Sequence, residues 1–347
     1  MAMPLVSSRR DFARGLALAT VAAAAIPAGF ALPARAADSR IQSVVQTAYD
    51  QFKGLNEGKN ADYIPALAKV PSNYFGVALV TPDGQVSGAG DLEPKFSIQS
   101  ISKVFTLALV FAESGEPLIE DKIGVDATGQ VFNSIVAVEQ FKGKEINPLV
   151  NPGAIATTGT VKGANADEVW AKILGIHSAF AGRTLGIDEE VYKSEAATNQ
   201  RNRAIGMLMS AYERFPGDPA QAVDLYTRQC SIAVTARDLG VMAATLANGG
   251  KNPVTKKQVI DGRLVPGLLS VMATAGLYDD SGKWLFHTGL PAKSGVGGGL
   301  IAVSPGKFGI GTFSPPLDEA GNSVRGQRAI AAISDALGGN PLASKPV

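Results

Sequence analysis

The chain is expected to adopt an α/β fold, with one mixed, mainly antiparallel sheet flanked by helices and an all-helical subdomain attached. Three observations predict it. Strand-and-turn signals stand near the start of the chain, strand signals return near its end, and the stretch between, about 105–247, is dominated by helical periodicity. Strands from both chain ends around a helical insert imply one sheet built from about 70–100 and 280–347, with a site between sheet and helices.

The first element lies outside that fold. Ser8-Arg9-Arg10-Asp11-Phe12 is a twin-arginine pattern, followed by an Ala-rich apolar stretch over 15–32 and the small-x-small cleavage signal Ala34-Arg35-Ala36. Residues 1–36 are therefore expected to be a removed export signal, with a mature chain of 37–347 in the bacterial periplasm or beyond and no stable membrane association. Residues 75–80 and 85–89, joined by Pro82-Asp83-Gly84, read as a β-hairpin. Ser100 opens the run Val104, Phe105, Leu107, Ala108, Leu109, Val110, Phe111, apolar nearly all round as in a buried helix. Breaks follow at Asn147-Pro148, Gly159 and Phe215-Pro216-Gly217. Trp284-Leu285-Phe286 reads as an apolar strand that packs His287, residues 300–313 form a second hairpin, and a last helix is expected near 327–337. Neither internal repeats nor low-complexity linkers interrupt this order.

Composition excludes several function classes. Lys and Arg number 32 against 31 Asp and Glu, with no basic block beyond the leader, so nucleic acid and anionic membranes are not expected partners. Cys230 is the single cysteine, which rules out an internal disulfide; set among Tyr226, Ile232 and Val234, it reads as a packed side chain. His177 and His287 are the only histidines, and neither sits in a metal-binding spacing, so no metal site is expected. The same scarcity disfavours a Ser-His-Asp triad.

Lysine is the better base. Ser100-Ile101-Ser102-Lys103 is answered far downstream by Lys293-Ser294-Gly295-Val296-Gly297-Gly298-Gly299, the two-part signature of acyl-transfer enzymes that activate serine with lysine. Either half alone is weak, since Ser-x-x-Lys arises by chance about once in a few hundred residues of ordinary composition. Ser304-Pro305-Gly306-Lys307 is such a copy, and its Pro-Gly marks it as a hairpin tip. Three apart on a helix, Ser100 and Lys103 share a face, and burial lowers a lysine's pKa toward the role of base. Free N–H groups at the first turn suit an oxyanion. The competing reading is a capping Ser beside a surface Lys.

Further blocks run along the mature chain: Ser97-Ile98-Gln99-Ser100-Ile101-Ser102-Lys103-Val104-Phe105, Asn147-Pro148-Leu149-Val150-Asn151, Ser194-Glu195 with Arg201-Asn202, and Tyr226 with Cys230-Ser231-Ile232. Gly276-Leu277-Tyr278-Asp279, Pro291-Ala292-Lys293-Ser294-Gly295-Val296 and Ser314-Pro315-Pro316-Leu317-Asp318 complete the series. Together, and in this order, they resemble the serine-dependent glutaminase family. The resemblance implies a β-lactamase/transpeptidase-like fold, hydrolysis of L-glutamine to L-glutamate and ammonia, no cofactor, and a homo-oligomer of two or four subunits. By position it implies Ser100 as nucleophile, Lys103 as its activator, and Tyr278, with Tyr226 as second candidate, as proton relay to ammonia. Backbone N–H groups of Ser100 and Val296 become the oxyanion hole. Asn151, Glu195, Asn202 and Tyr226 hold the amino-acid end, and Tyr63 in Asp62-Tyr63-Ile64-Pro65 matches another pocket tyrosine.

The residues support these roles unequally. Glu195 and Asn202, seven apart, are expected on one helical face, where a solvated surface is the plainer reading. Small neighbours around Val296 let a ligand approach the backbone. Tyr226 and Tyr278 read equally well as packing residues. Where the family has Asn-Ala-Gly this chain has Asn151-Pro152-Gly153, and proline there removes an N–H and favours an extended Asn151. A penicillin-recognising hydrolase, β-lactamase or DD-peptidase, is the alternative, but its Ser-x-Asn or Tyr-x-Asn element is not matched by Tyr226-Thr227-Arg228. A glutamine-binding transport protein would have no use for a buried Ser-Lys pair.

Overall fold

The computed structural model describes residues 34–144 and 146–343; the expected leader lies, as far as residue 33, outside the described residues. Its strands are β1 (Gly76–Val80), β2 (Val86–Gly90), β3 (Phe96–Ser97), β4 (Gly186–Ile187), β5 (Ile232–Val234), β6 (Ala292–Gly295), β7 (Gly299–Ser304) and β8 (Phe308–Phe313). The larger sheet has the order β2-β1-β8-β7-β6, every neighbouring pair antiparallel. Early and late chain therefore meet directly, Val77 opposite Thr312 and Leu79 opposite Ile310.

Both expected hairpins are present. Between β1 and β2 the turn closes through Gly84 N–H to Thr81 O at 2.9 Å, and Gly84 takes a φ of 99°. Alternation then divides the sheet between two cores. Val77, Leu79, Leu300, Ala302 and Ile310 pack with Val45 and Ala48 of the Ala34–Phe52 helix and with Ala329, Ile330 and Ile333 of the Val324–Leu337 helix. Ile301, Val303 and Phe313 join the opposite core with Phe105, Leu239 and Met242. Gly309 and Gly311 let the Ala236–Ala247 helix lie on β8, because a Cβ at either would come within 2.0 or 2.3 Å of backbone nitrogen at Ala244 or Gly240.

Two of the sequence expectations fail locally. Trp284-Leu285-Phe286 belongs to the helix Ser281–Thr288, in which Ser281, Trp284 and Thr288 turn inward at helical spacing while Phe286 is 84% exposed. A three-residue apolar run is too short to reveal a period, and His287 consequently lies on the surface instead of being packed. Within the helical middle, β4 and β5 form a small sheet with β3, order β3-β5-β4. Strands of two and three residues carry no periodic signal, yet this sheet holds the segment leading into Ser100: Ile98 N–H donates to Ile232 O at 2.8 Å. No described helix is long and apolar enough to cross a membrane.

Candidate active site

Ser100 sits in a single 3-10 turn, Gln99–Ile101, that runs straight into the helix Ser102–Ser114. The helical step puts Lys103 Nζ 2.7 Å from Ser100 Oγ. Lys103 is 1% exposed. Burial drives its pKa down to about 8, while the nearby Glu195 holds it up. The contact works in either direction: an ammonium donates to Oγ, and a neutral amine accepts the hydroxyl proton.

Asn151 is the second partner of the lysine, its Oδ1 accepting from Lys103 Nζ at 2.8 Å and from Tyr226 O–H at 3.1 Å. Its Nδ2 donates to Asn202 Oδ1 at 3.1 Å. The expected effect of Pro152 falls one residue earlier. Val150 is the extended residue (ψ 161°), and Asn151 already opens the helix Asn151–Gly159, with Pro152 in the first turn, where a missing N–H leaves no bond unmade.

Glu195 and Asn202 both line the pocket but not from one helix. The chain breaks at Asn199, so that Glu195 belongs to the last turn of the helix Glu189–Thr198 and Asn202 to the first turn of Gln200–Ala211. Glu195 is 7% exposed, and burial pushes its carboxyl up to about 7, with the Gln99 amide and the Lys103 charge pulling it back. The Gln99 Nε2 donates to Glu195 Oε2 at 3.3 Å and to Ser97 Oγ at 3.1 Å. Gln99 itself adopts φ 50°, a left-handed backbone that such side-chain bonds help to hold.

Val296 lies in the tight turn between β6 and β7, closed by Gly298 N–H to Gly295 O at 2.9 Å. This turn packs against the strand before the serine, where a Cβ on Gly295 or Gly297 would sit 2.7 Å from Ile98 O or Ser97 O. Only glycine permits that approach, which sets the Val296 turn against the stretch that leads into Ser100 and brings both residues to one cavity. Tyr278, 5% exposed, has its pKa raised to about 12 by burial, with the nearby Ser100 side chain pulling it back, and its hydroxyl donates to Ser294 O at 3.4 Å.

These elements enclose a cavity of about 270 Å³ lined by Tyr63, Ser100, Asn151, Glu195, Asn202, Tyr226 and Val296, seven of the residues singled out from the sequence. Tyr63, 54% exposed, stands at its mouth. Lys103 and Tyr278 stand behind Ser100 and are not in the lining. Gln99, Phe132, Asn133, Asn199 and Arg201 also line it; Gln99 and Arg201 stand in the blocks quoted above without a role, and nothing in the sequence marked the other three. Phe132 and Asn133 belong to a loop tied in by Asn151 N–H to Phe132 O at 2.8 Å and by Arg201 Nε to Asn133 O at 3.0 Å. Neither histidine reaches the cavity: His177 is buried against Ile173 O and Ser102 O, and burial lowers its pKa to about 4. Cys230 is buried with its thiol pushed up to about 12, which suits packing and not nucleophilic attack.

Comparison with known proteins agrees with this geometry. Residues 58–340 match the family model described as Glutaminase. A glutaminase of Colwellia psychrerythraea is 54% identical over 300 residues, covering 86% of this chain and 96% of that protein. One from Mycobacterium ulcerans is 51% identical over 305 residues, covering 88% and 95%. Among solved structures, a probable glutaminase, ybaS, superposes with a TM-score of 0.87 at 48% identity, covering 88% of this chain and 99% of its own. Mglu in its glutamate form gives 0.83 at 35% identity, covering 88% and 71%.

Proposed function

We propose, from the premise that this chain belongs to the glutaminase family, a residue-level mechanism for its hydrolysis of L-glutamine to L-glutamate and ammonia. Neutral Lys103 takes the Ser100 proton as Oγ attacks the γ-carboxamide carbon. The negative charge that moves onto the amide oxygen is held by the N–H groups of Ser100 and Val296. When the tetrahedral species collapses, the C–N bond breaks and the Tyr278 hydroxyl supplies a proton to the departing nitrogen, and the resulting phenolate takes back the proton that Lys103 had received. Water then attacks the acyl-enzyme, again giving its proton to Lys103; the C–Oγ bond breaks, Lys103 returns that proton to Ser100 Oγ, and glutamate leaves.

Recognition of a free amino acid demands a carboxylate for the α-ammonium, and Glu195 is the buried carboxylate in the cavity wall. Asn202, Asn151 and Tyr226 offer polar atoms to the α-carboxylate, and Tyr63 covers the mouth. The observation that carries this reading is the 2.7 Å contact between Ser100 Oγ and a buried Lys103 Nζ at the floor of that cavity. Ammonia release from a panel of free amides tests it: turnover is expected with L-glutamine, and a flat response to glutamine would overturn it.

Export by the twin-arginine route to the periplasm is part of the same proposal, supported by Arg9-Arg10, the apolar stretch and Ala34-Arg35-Ala36. Replacing both arginines by lysine should leave precursor in the cytoplasm, and unaffected export would count against it. A homo-oligomer of two or four subunits is proposed by analogy with the family, and light scattering of the purified protein decides it.

A further inference from the structure

Lys293, the lysine of the downstream motif, has no part in the mechanism above, yet it is among the largest fully buried side chains of the molecule. It leaves β6 opposite Ile301 of β7, and it is not in the cavity lining. Its Nζ donates to Gly276 O and Ser294 O, each at 2.9 Å, and lies 4.0 Å from the centroid of the Tyr278 ring. Two carbonyls and a π face match the three N–H bonds of an ammonium. Burial, and after it the charge of Lys103, press the Lys293 pKa well down.

The same three acceptors locate Tyr278. Gly276 O also accepts from Ser294 N–H at 3.2 Å, and Ser294 O accepts from the Tyr278 hydroxyl at 3.4 Å, so Lys293 Nζ joins the loop before Tyr278 to the strand that its hydroxyl touches. Tyr278 needs such support. Its φ of 57° is rare for a bulky residue and persists only where the surroundings over-determine it. Ser281 contributes below, its Oγ donating to Tyr278 O at 2.7 Å and accepting from Leu277 N–H at 3.0 Å, bonds that hold the backbone and not the ring.

We infer that Lys293 is a positioning residue for proton delivery: it holds Tyr278, through the ring face and the Gly276 and Ser294 carbonyls, in the pose from which the phenol donates to the leaving nitrogen. This rests on the role given to Tyr278 above. β6 also leads within three residues to Val296, so loss of Lys293 through a disturbed oxyanion hole is the competing explanation.

Leaving-group dependence separates the two. The γ-carboxamide of L-glutamine needs a proton to expel nitrogen, whereas the γ-trifluoroethyl ester of L-glutamate expels its alkoxide with much less help; both need the oxyanion hole. Lys293→Met is expected to lower kcat for glutamine on the order of 10²-fold, the share that a positioned general acid supplies, with much smaller loss on the ester and little change in KM. In a Tyr278→Phe background the same substitution should add nothing to the amide-to-ester ratio. Equal losses on both substrates, or no loss, would overturn the inference. Should Lys293→Met not fold, as judged by its thermal melt, Lys293→Gln keeps donors for the carbonyls without a cation for the ring and carries the same comparison. An unchanged ratio in Tyr278→Phe alone overturns instead the role of Tyr278 as acid, which keeps the two failures distinct.

Discussion

The chain carries Ser-x-x-Lys twice, at Ser100/Lys103 and at Ser304/Lys307, and the two copies differ in the backbone beneath them. Over 100–103 a helical turn stacks the two side chains, leaving Oγ and Nζ 2.7 Å apart with no other carbonyl claiming the serine hydroxyl. Over 304–307 the chain reverses at a hairpin tip, with Ser304 paired to Phe308 across the strands. There Ser304 Oγ donates to Gly339 O and Lys307 Nζ to Gly338 O, each at 2.6 Å, so both groups fasten the end of the Val324–Leu337 helix to the sheet. Ser304 is as buried as Lys103, at 1%, so burial alone does not make a nucleophile. What distinguishes the copies is that the first pair is left to bond to each other beside a cavity, and the second is consumed by carbonyls.

The largest expected effect tests that contrast directly. Ser100→Ala and Lys103→Ala should each lower glutamine turnover by roughly four orders of magnitude or more, and the double variant should be scarcely worse because the pair acts as one unit. Ser304→Ala should be nearly silent in the same assay. An essential Ser304 with a dispensable Ser100 would reverse the assignment.

Next comes the buried carboxylate that the hairpin copy lacks. Glu195→Gln keeps the shape and removes the charge, with an expected loss of about 2–4 kcal/mol in transition-state stabilisation, as for truncating one partner of a buried charge pair. Glutaramate, without the α-amino group, should be a poor substrate of the native enzyme and should suffer far less from the change. Measuring kcat/KM for both substrates in both proteins closes the cycle. Equal losses would mean that Glu195 supports the fold or the nucleophile instead of reading the ammonium.

A smaller effect is expected in the pH profile. Lys103, lowered to about 8, accepts the serine proton only above that value, and Glu195, raised to about 7, is charged only above its own. Both steps lose activity as pH falls, so kcat/KM should drop about tenfold per pH unit below 8 and more steeply below 7. In Glu195→Gln only the lysine limb should remain. It should also lie at lower pH, since the Glu195 charge is one of the influences, beside Cys230, that raise the Lys103 pKa against burial. An unchanged two-step limb in that variant would break the assignment.

The smallest effect belongs to the second copy. Ser304→Ala removes one buried hydrogen bond and should cost about 1 kcal/mol of stability, read from a denaturant midpoint. A loss of activity without that loss of stability would blur the distinction between the copies.

Much of this was legible in the chain because it depends on local pattern. The two hairpins follow from turn residues between alternating strands, the Ser102–Ser114 helix from its apolar run, and the Ser100–Lys103 proximity from helical spacing alone. The blocks that resemble the glutaminase family mark the remaining side chains, but they are scattered over residues 63–296 and spacing does not say that they meet. Local pattern also misleads where an element is short: a Trp-Leu-Phe run became a helix, and Glu195 and Asn202, apparently on one face, stand on two helices broken at Asn199.

Tertiary structure decided what long-range packing decides. Pairing of the chain ends across β1 and β8 builds the sheet that carries the Val296 turn, the small β3-β5-β4 sheet steadies the segment leading into Ser100, and the glycine contact lays the one against the other. Burial then fixed the chemistry, since Lys103 and Glu195 are ordinary side chains until the fold removes their water. The sequence by itself specified which groups are available and which neighbours share a helical face; which of them lose solvent together, and so shift in pKa, depended on contacts between segments far apart in the chain.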